Sequence, residues 1–177
     1  MYHKILVAVD NSPLSDTIFA QALELAQATH ASLMLVHSLS GEEDGSPIPI
    51  GTRLDAIYWA PGTELNLEAW RAEWTRYETE NLERLRQFAA RAHAAGVEAE
   101  FRQLVGSPGK AICNVAQQWG ADLIVVGNRG RSGLSELVLG SVSNYVMHRA
   151  PCSVLVLKAT AITSTEPEHE TAAAPGV

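Results

Sequence analysis

The amino-acid sequence predicts an α/β protein built on an open, five-stranded parallel sheet with helices on both faces. Three observations carry this. Apolar runs alternate with longer stretches of helical periodicity in the order β-α-β-α-β-α-β-α-β, the pattern of right-handed crossovers in one sheet. Most of these runs are nearly continuous in Val, Ile and Leu, as in parallel strands covered on both faces. Ser-Pro pairs and glycines fall where the helices should start and stop.

Taken in order, the first strand is KILVAVD, Lys4 to Asp10. It is followed by the helical stretch SPLSDTIFAQALELAQATH, with Ser12 placed to cap and Pro13 in the first turn. Ile18, Ala22, Leu25 and Ala26 recur along it at helical spacing. The second strand is ASLMLVHSL, Ala31 to Leu39. The stretch from Ser40 to Gly62, rich in Gly, Pro and acidic residues, is long for a connection and reads as a surface excursion. A long helix runs from about Glu64 to Ala95. Leu67, Trp70, Trp74 and Tyr77 line one face, Leu82, Leu85, Ala89 and Ala92 continue it, and Gly96 stops it.

The third strand, VEAEFRQLV (Val97 to Val105), alternates more than the others and is placed nearer an edge. The next helix opens at Ser107 and Pro108 and ends at Gly120. DLIVVG (Asp122 to Gly127) is the fourth strand. SVSNYVMHRA, starting after Gly140 and ending before Pro151, is the last helix, and CSVLVLK (Cys152 to Lys158) is the fifth strand. The acidic tail, residues 159–177, lacks periodicity and is expected to be disordered. The domain therefore spans residues 1–158, and no internal repeat is present.

Bulk composition narrows the function. A chain of 177 residues with 46% hydrophobic and 19% charged residues suits one globular domain. Its net charge of -7 and pI near 5.3 argue against general nucleic-acid binding, which needs a basic face. A small anion can still be held where local backbone and a few cations oppose the overall field. Cys113 and Cys152 form no CxxC pair, which speaks against a disulfide framework or a zinc site. MYHKILVAVD has no signal-peptide layout, and no apolar stretch approaches the roughly 18 residues of a membrane span. A cytoplasmic protein of a reducing compartment is expected.

In an open parallel sheet, ligands bind beyond the carboxyl ends of the strands, where the strand order switches direction. The residues there are Ala8, Val9, Asp10, Asn11 and Ser12; His37 and Ser38; and Val105, Gly106 and Ser107. After the fourth strand comes GNRGRSGLSELVLGS, Gly127 to Ser141. Gly127 ends a strand, Gly130 lies in a loop, and Gly140 stands at a helix entrance. Glycine at each position permits positive φ and close approach of backbone to ligand. The N–H groups of Ser141, Val142 and Ser143 are first-turn orphans that, with the helix dipole, favour an anion. The hydroxyls of Ser141 and Ser143 can add donors, and Arg129 and Arg131 bring positive charge. The plainer readings are a capping role for Ser141 and ordinary surface positions for the arginines. GSPGKA (Gly106 to Ala111) lacks the spacing of a Walker loop, and no G-x-G-x-x-G opens the first helix.

Gly127-x2-Gly130-x9-Gly140-Ser141 is similar to the glycine pattern of the nucleotide-binding branch of the universal stress protein family. The likeness extends through KILVAVDNSPLS, LMLVHSL, VGSPGKAICNVAQQWGADLIVVGNRG and RAPCSVLVLK, covering about residues 1 to 158. The resemblance implies a Rossmann-like sheet of the adenine nucleotide alpha hydrolase type, with strand order 3-2-1-4-5 and its switch point between the first and fourth strands. It implies that ATP or another adenine nucleotide lies there. Ala8, Val9, Asp10 and Ser38 would flank adenine, largely through backbone atoms, with Asp10 also available to the ribose, while Gly106 and Ser107 close that side. Val126, Gly127, Gly130, Gly140, Ser141, Val142 and Ser143 would form the ribose-phosphate wall. The resemblance further implies a homodimer through the last strand, Ser153 to Lys158, and Mg2+ accompanying the phosphates without a dedicated carboxylate cluster. Asn128 and Arg129 depart from the Ser-His or similar pair of many members, and the 40–62 excursion is particular to this chain.

On composition alone Asp10 suits a turn as well as a ligand, and the resemblance favours the ligand. Ser12 reads as a cap, His37 as a satisfied core histidine, Trp70 and Trp74 as core or dimer residues, and both cysteines as small core residues. Hydrolysis needs a general base or oriented water near the γ-phosphate, and only Glu136 offers a carboxylate in the loop, so no catalytic residue is assigned. The function expected is an adenine-nucleotide-binding stress-response sensor or regulator. Its ligand would order the segment from Asn128 to Leu139, and with it the excursion, to present a different surface to a protein partner. The alternatives are a slow ATPase and a dimeric interaction protein with a vestigial nucleotide site.

Overall fold

Among the described residues, strands and helices alternate in the order β1 (Lys4–Ala8), α1 (Leu14–Thr29), β2 (Ser32–Leu39), α2 (Thr63–Ala94), β3 (Ala99–Val105), α3 (Pro108–Trp119), β4 (Leu123–Asn128), α4 (Ser141–Arg149) and β5 (Ser153–Lys158). They belong to a computed structural model that describes residues 1–41, 43, 45–47, 63–128 and 139–158. The tail and most of the excursion lie outside the described residues. The strands form one sheet in the order β3-β2-β1-β4-β5, and every neighbouring pair is parallel. Val7 pairs with Leu35 on one side and Val125 on the other, so β1 is central. The chain moves outward from β1 to β3, then returns to start β4 on the opposite flank. The switch point therefore lies between β1 and β4.

The continuous apolar runs have a direct cause. Ile5, Val7, Leu33, Leu35, Leu123 and Val125 face α1 and α2, meeting Ile18, Phe19, Ala22, Leu85, Phe88 and Ala92. Leu6, Met34, Val36, Ile124 and Val126 face the other way, onto Ile112, Val115 and Ala116 of α3 and Val146 of α4. With both faces covered, the inner strands need apolar residues at every position.

β3 lies at an edge and alternates in burial, as its sequence predicts. β5 forms the other edge, as the order 3-2-1-4-5 requires, but its apolar run, which reads as covered on both faces, alternates in exposure. Val154 and Val156 pack on the α3–α4 side. On the opposite face only Leu157 reaches the α1–α2 core, and Leu155 is left 38% exposed. The long helix also differs in its first half. Trp70 and Trp74 stack with ring centroids 5.7 Å apart but remain half-buried, and only Tyr77 of the predicted face is buried there. The core contact of α2 comes from its second half, where Leu85, Phe88, Ala89 and Ala92 meet the sheet.

Candidate functional site

The site is assembled at the carboxyl ends of β1, β2, β3 and β4. β1 ends at Ala8, although the Val9 N–H still bonds the Val36 carbonyl at 3.0 Å. The chain then turns sharply, and Asp10 holds the turn. Its Oδ1 accepts the Ser12 N–H at 2.8 Å, the Ser15 hydroxyl at 2.9 Å and the Ser12 hydroxyl, while its own N–H donates to Ser15 Oγ at 2.8 Å. Ser12 is therefore not the cap its sequence position suggests. α1 starts at Leu14 after Pro13, with no side-chain cap. A carboxylate is the stronger acceptor and draws the serine hydroxyl away from the helix end.

Across the sheet, the Ser38 hydroxyl donates to the Gly106 carbonyl at 3.0 Å, and the Gly106 N–H donates to the Leu39 carbonyl at 3.1 Å. These bonds close the ends of β2 and β3 together. Gly106 sits at φ +122°, a backbone conformation that side chains disfavour. Ser107 follows at the N-cap of α3, making no side-chain cap bond, and is solvent-exposed.

On the β4 side the geometry revises the use of the glycines. Gly127 takes ordinary strand dihedrals, and what it supplies is space. A Cβ there would lie 2.5 Å from Ile18 Cδ1 and 3.2 Å from Leu14 Cδ2. Gly140 has φ -60° and ψ 155°, which any residue can adopt. Two hydrogen bonds fix the two ends of the intervening segment. Gly140 donates its N–H to Asn128 Oδ1 at 3.3 Å, and Ser143 donates its hydroxyl to the Gly127 carbonyl at 2.9 Å. The Ser143 hydroxyl, 2% exposed, is thus committed to the protein, and it braces the wall where the sequence suggested a phosphate donor.

The first backbone bond of α4 runs from the Asn144 N–H to the Gly140 carbonyl at 2.9 Å. The N–H groups of Ser141, Val142 and Ser143 precede it and have no acceptor inside the helix. The first turn carries no acidic residue, and His148 and Arg149 occupy the last turn, so the positive end of the dipole is left uncompensated by the helix's own side chains.

The structure therefore brings Ala8, Val9, Asp10, Ser38, Gly106, Ser107, Val126, Gly127, Gly140, Ser141, Val142 and Ser143 to one end of the sheet, on both sides of the switch point. Arg129, Gly130, Arg131 and Glu136 lie outside the described residues, as does most of the segment expected to order on binding.

Sequence reasoning missed Glu43. Its side chain is 7% exposed, and its carboxylate accepts from three places: the Asn11 N–H at 2.8 Å, His37 Nε2 at 2.8 Å and the Tyr77 hydroxyl. Burial opposes the charge, but the bonds and charge of His37, with those of Tyr77 and Asn11, prevail and hold its pKa below 4.5. His37 is a core residue as expected, although its Nδ1 is buried without a protein partner. No sequence signal marks one glutamate in GEEDG as different from its acidic neighbours.

Among the described residues, no group of three His, Cys, Asp or Glu side chains is placed to hold a metal ion. Among them, too, no helix is long and apolar enough to cross a membrane.

Residues 1–158 match the model of the universal stress protein family. Universal stress protein Sll1388 of Synechocystis sp. is 37% identical over 158 residues, spanning 89% of this chain and 98% of that protein. Universal stress protein Slr1101 of the same organism is 49% identical over 104 residues, spanning 59% of this chain and 96% of the relative. Among solved structures, a universal stress protein in complex with cAMP superposes with a TM-score of 0.56 at 26% identity, over 90% of this chain and 98% of that one.

Proposed function

The chain belongs to the universal stress protein family, and on that premise we propose that it is an adenine-nucleotide-binding regulator whose ligand occupies the cleft between β1 and β4. One observation carries the reading. The first turn of α4, whose N–H groups have no acceptor inside the helix, is bolted to the end of β4 by the Ser143–Gly127 bond, beside the end of β1 at the switch point. An uncompensated helix N-terminus there is suited to phosphate, and a relative of this fold was solved with cAMP.

In this reading the backbone of Ala8, Val9 and Ser38 flanks the base, Asp10 serves its turn and meets the ribose, and residues 140–143 receive the phosphates. Arg129, Gly130 and Arg131 complete the phosphate side. Mg2+, when present, is carried by the nucleotide. No side chain is assigned to chemistry, and the protein acts as a sensor in the cytoplasm, a compartment that suits its free thiols Cys113 and Cys152. The apolar edge of β5, residues 153–158, pairs with a second copy.

Calorimetry with ATP, ADP, AMP and cAMP, together with mass spectrometry of whatever co-purifies, tests the reading. Binding that weakens when Gly140 and Ser141 are replaced together is the expected result. Absence of heat with all four ligands would leave an interaction protein with a vestigial site. Turnover above background that the double replacement abolishes would make it an ATPase.

A further inference from the structure

We propose that Glu43 is a positioning residue for the base side of the nucleotide cleft, acting as the tie that joins the chain after β1 to the chain after β2. The inference rests on the nucleotide reading above and adds a part that no glycine or phosphate-wall residue supplies.

The argument begins with cost. A carboxylate taken from water is strongly disfavoured unless donors replace its solvent. Glu43 is nearly fully buried and keeps its charge, so its partners must supply that replacement. They come from three separate places. Oε1 takes the backbone N–H of Asn11, the residue after Asp10. Oε2 takes Nε2 of His37, near the end of β2, and the Tyr77 hydroxyl of α2. Nε2 of His37 donates in this contact, because an ionised carboxylate can only accept.

These attachments have a geometric consequence. Ala8 pairs with Val36, so the residues just beyond them, Val9 to Asn11 and His37 to Ser38, lie on the two adjacent strand ends assigned to the base. Asn11 extends the Asp10 turn, and Glu43 extends the exit of β2. Their hydrogen bond spans the gap between the two. Without it, the two sides are joined below the cleft by the sheet alone, and the Asn11 end of the Asp10 turn loses its tie to the exit of β2. The position of the base-side wall is thus set by a side chain outside every predicted motif.

The test titrates adenosine, AMP and ATP into the full chain, the Glu43→Ala variant and the milder Tyr77→Phe variant, with exchange of the Asn11 amide followed in parallel. Glu43→Ala is expected to raise Kd about tenfold for all three ligands alike, the worth of the one charge-assisted bond, from Asn11, that joins the two sides. It should also speed Asn11 exchange. Tyr77→Phe should act in the same direction by about threefold, since one of the donors is lost, and it carries the test if the alanine variant does not fold. A structural defect that lowers the competent fraction would also weaken all three ligands by one factor. Each titration is therefore run where circular dichroism shows the variant fully folded, and the faster exchange must be confined to the Asn11 amide and its neighbours. Wild-type affinity in both variants overturns the proposal, and so does a loss confined to the phosphorylated ligands. Failure of the wild-type chain to bind any of the three overturns the nucleotide reading itself and this inference with it.

Discussion

The Ser143 hydroxyl donates to the Gly127 carbonyl at 2.9 Å, locking the first turn of α4 to the end of β4. Ser141, two residues earlier, is exposed and plays no comparable part. The two serines should therefore separate stability from binding. Ser143→Ala removes the hydroxyl donor from the half-buried Gly127 carbonyl and should cost about 0.5–1.5 kcal/mol in urea unfolding. Ser141→Ala should stay within about 0.5 kcal/mol of wild type yet weaken AMP and ATP while sparing adenosine. Equal unfolding midpoints for the two variants would show that the brace is dispensable.

Gly127 is required by its neighbour on α1. The Cβ of alanine at this position would meet Ile18 Cδ1 at 2.5 Å, and Ile18 is itself buried. Gly127→Ala should destabilise by about 1–3 kcal/mol through overpacking. Ile18→Val deletes the clashing methyl and alone should cost about 0.5–1.5 kcal/mol. The double variant should be more stable than the sum of the two losses, read from a double-mutant cycle of denaturation midpoints. Simple additivity would place the requirement for glycine elsewhere.

The sheet was legible because its inner strands carry apolar residues at every position, a pattern imposed by two covered faces. The same logic overstated the burial of β5, whose edge position follows from the order 3-2-1-4-5, because an edge strand with one exposed leucine has the same composition as an inner one. At the candidate site, Asp10 and the start of α4 stand out in the sequence by their places at a strand end and after a glycine. Their internal bonding was not. Whether Ser12 caps a helix or donates to Asp10, and whether Ser143 faces ligand or Gly127, depends on which acceptor stands nearby in space. Glu43 was illegible for the same reason, since its partners lie up to 34 positions away in the chain.

The lowered pKa of Glu43 gives stability a predictable pH dependence. Between its folded pKa and the ordinary value of 4.5, the unfolded chain holds the proton more tightly. Stability therefore rises with pH in that window. The contribution is complete above the unfolded value and is lost as pH falls through the folded one. Glu43→Gln removes this titration. Urea unfolding from about pH 3 to 6 should show wild type losing stability faster than the variant on acidification, with the curves parallel at higher pH. Parallel curves throughout would mean that the carboxylate is no better stabilised folded than unfolded.

Leu155 tests the pairing proposed for β5. An edge strand with unpaired backbone groups and an exposed apolar side chain invites addition of another strand, and a charge at such a position is a common way to prevent it. β5 hydrogen-bonds only to β4 within the sheet, and Leu155 lies on the face that α1 and α2 leave open. Light scattering coupled to size exclusion should give twice the 19.1 kDa chain mass for wild type and the single mass for Leu155→Asp. Because Leu155 is already 38% exposed, the variant should keep its helical circular dichroism and its nucleotide affinity. A wild-type monomer, or a Leu155→Asp dimer, would move the interface away from this strand.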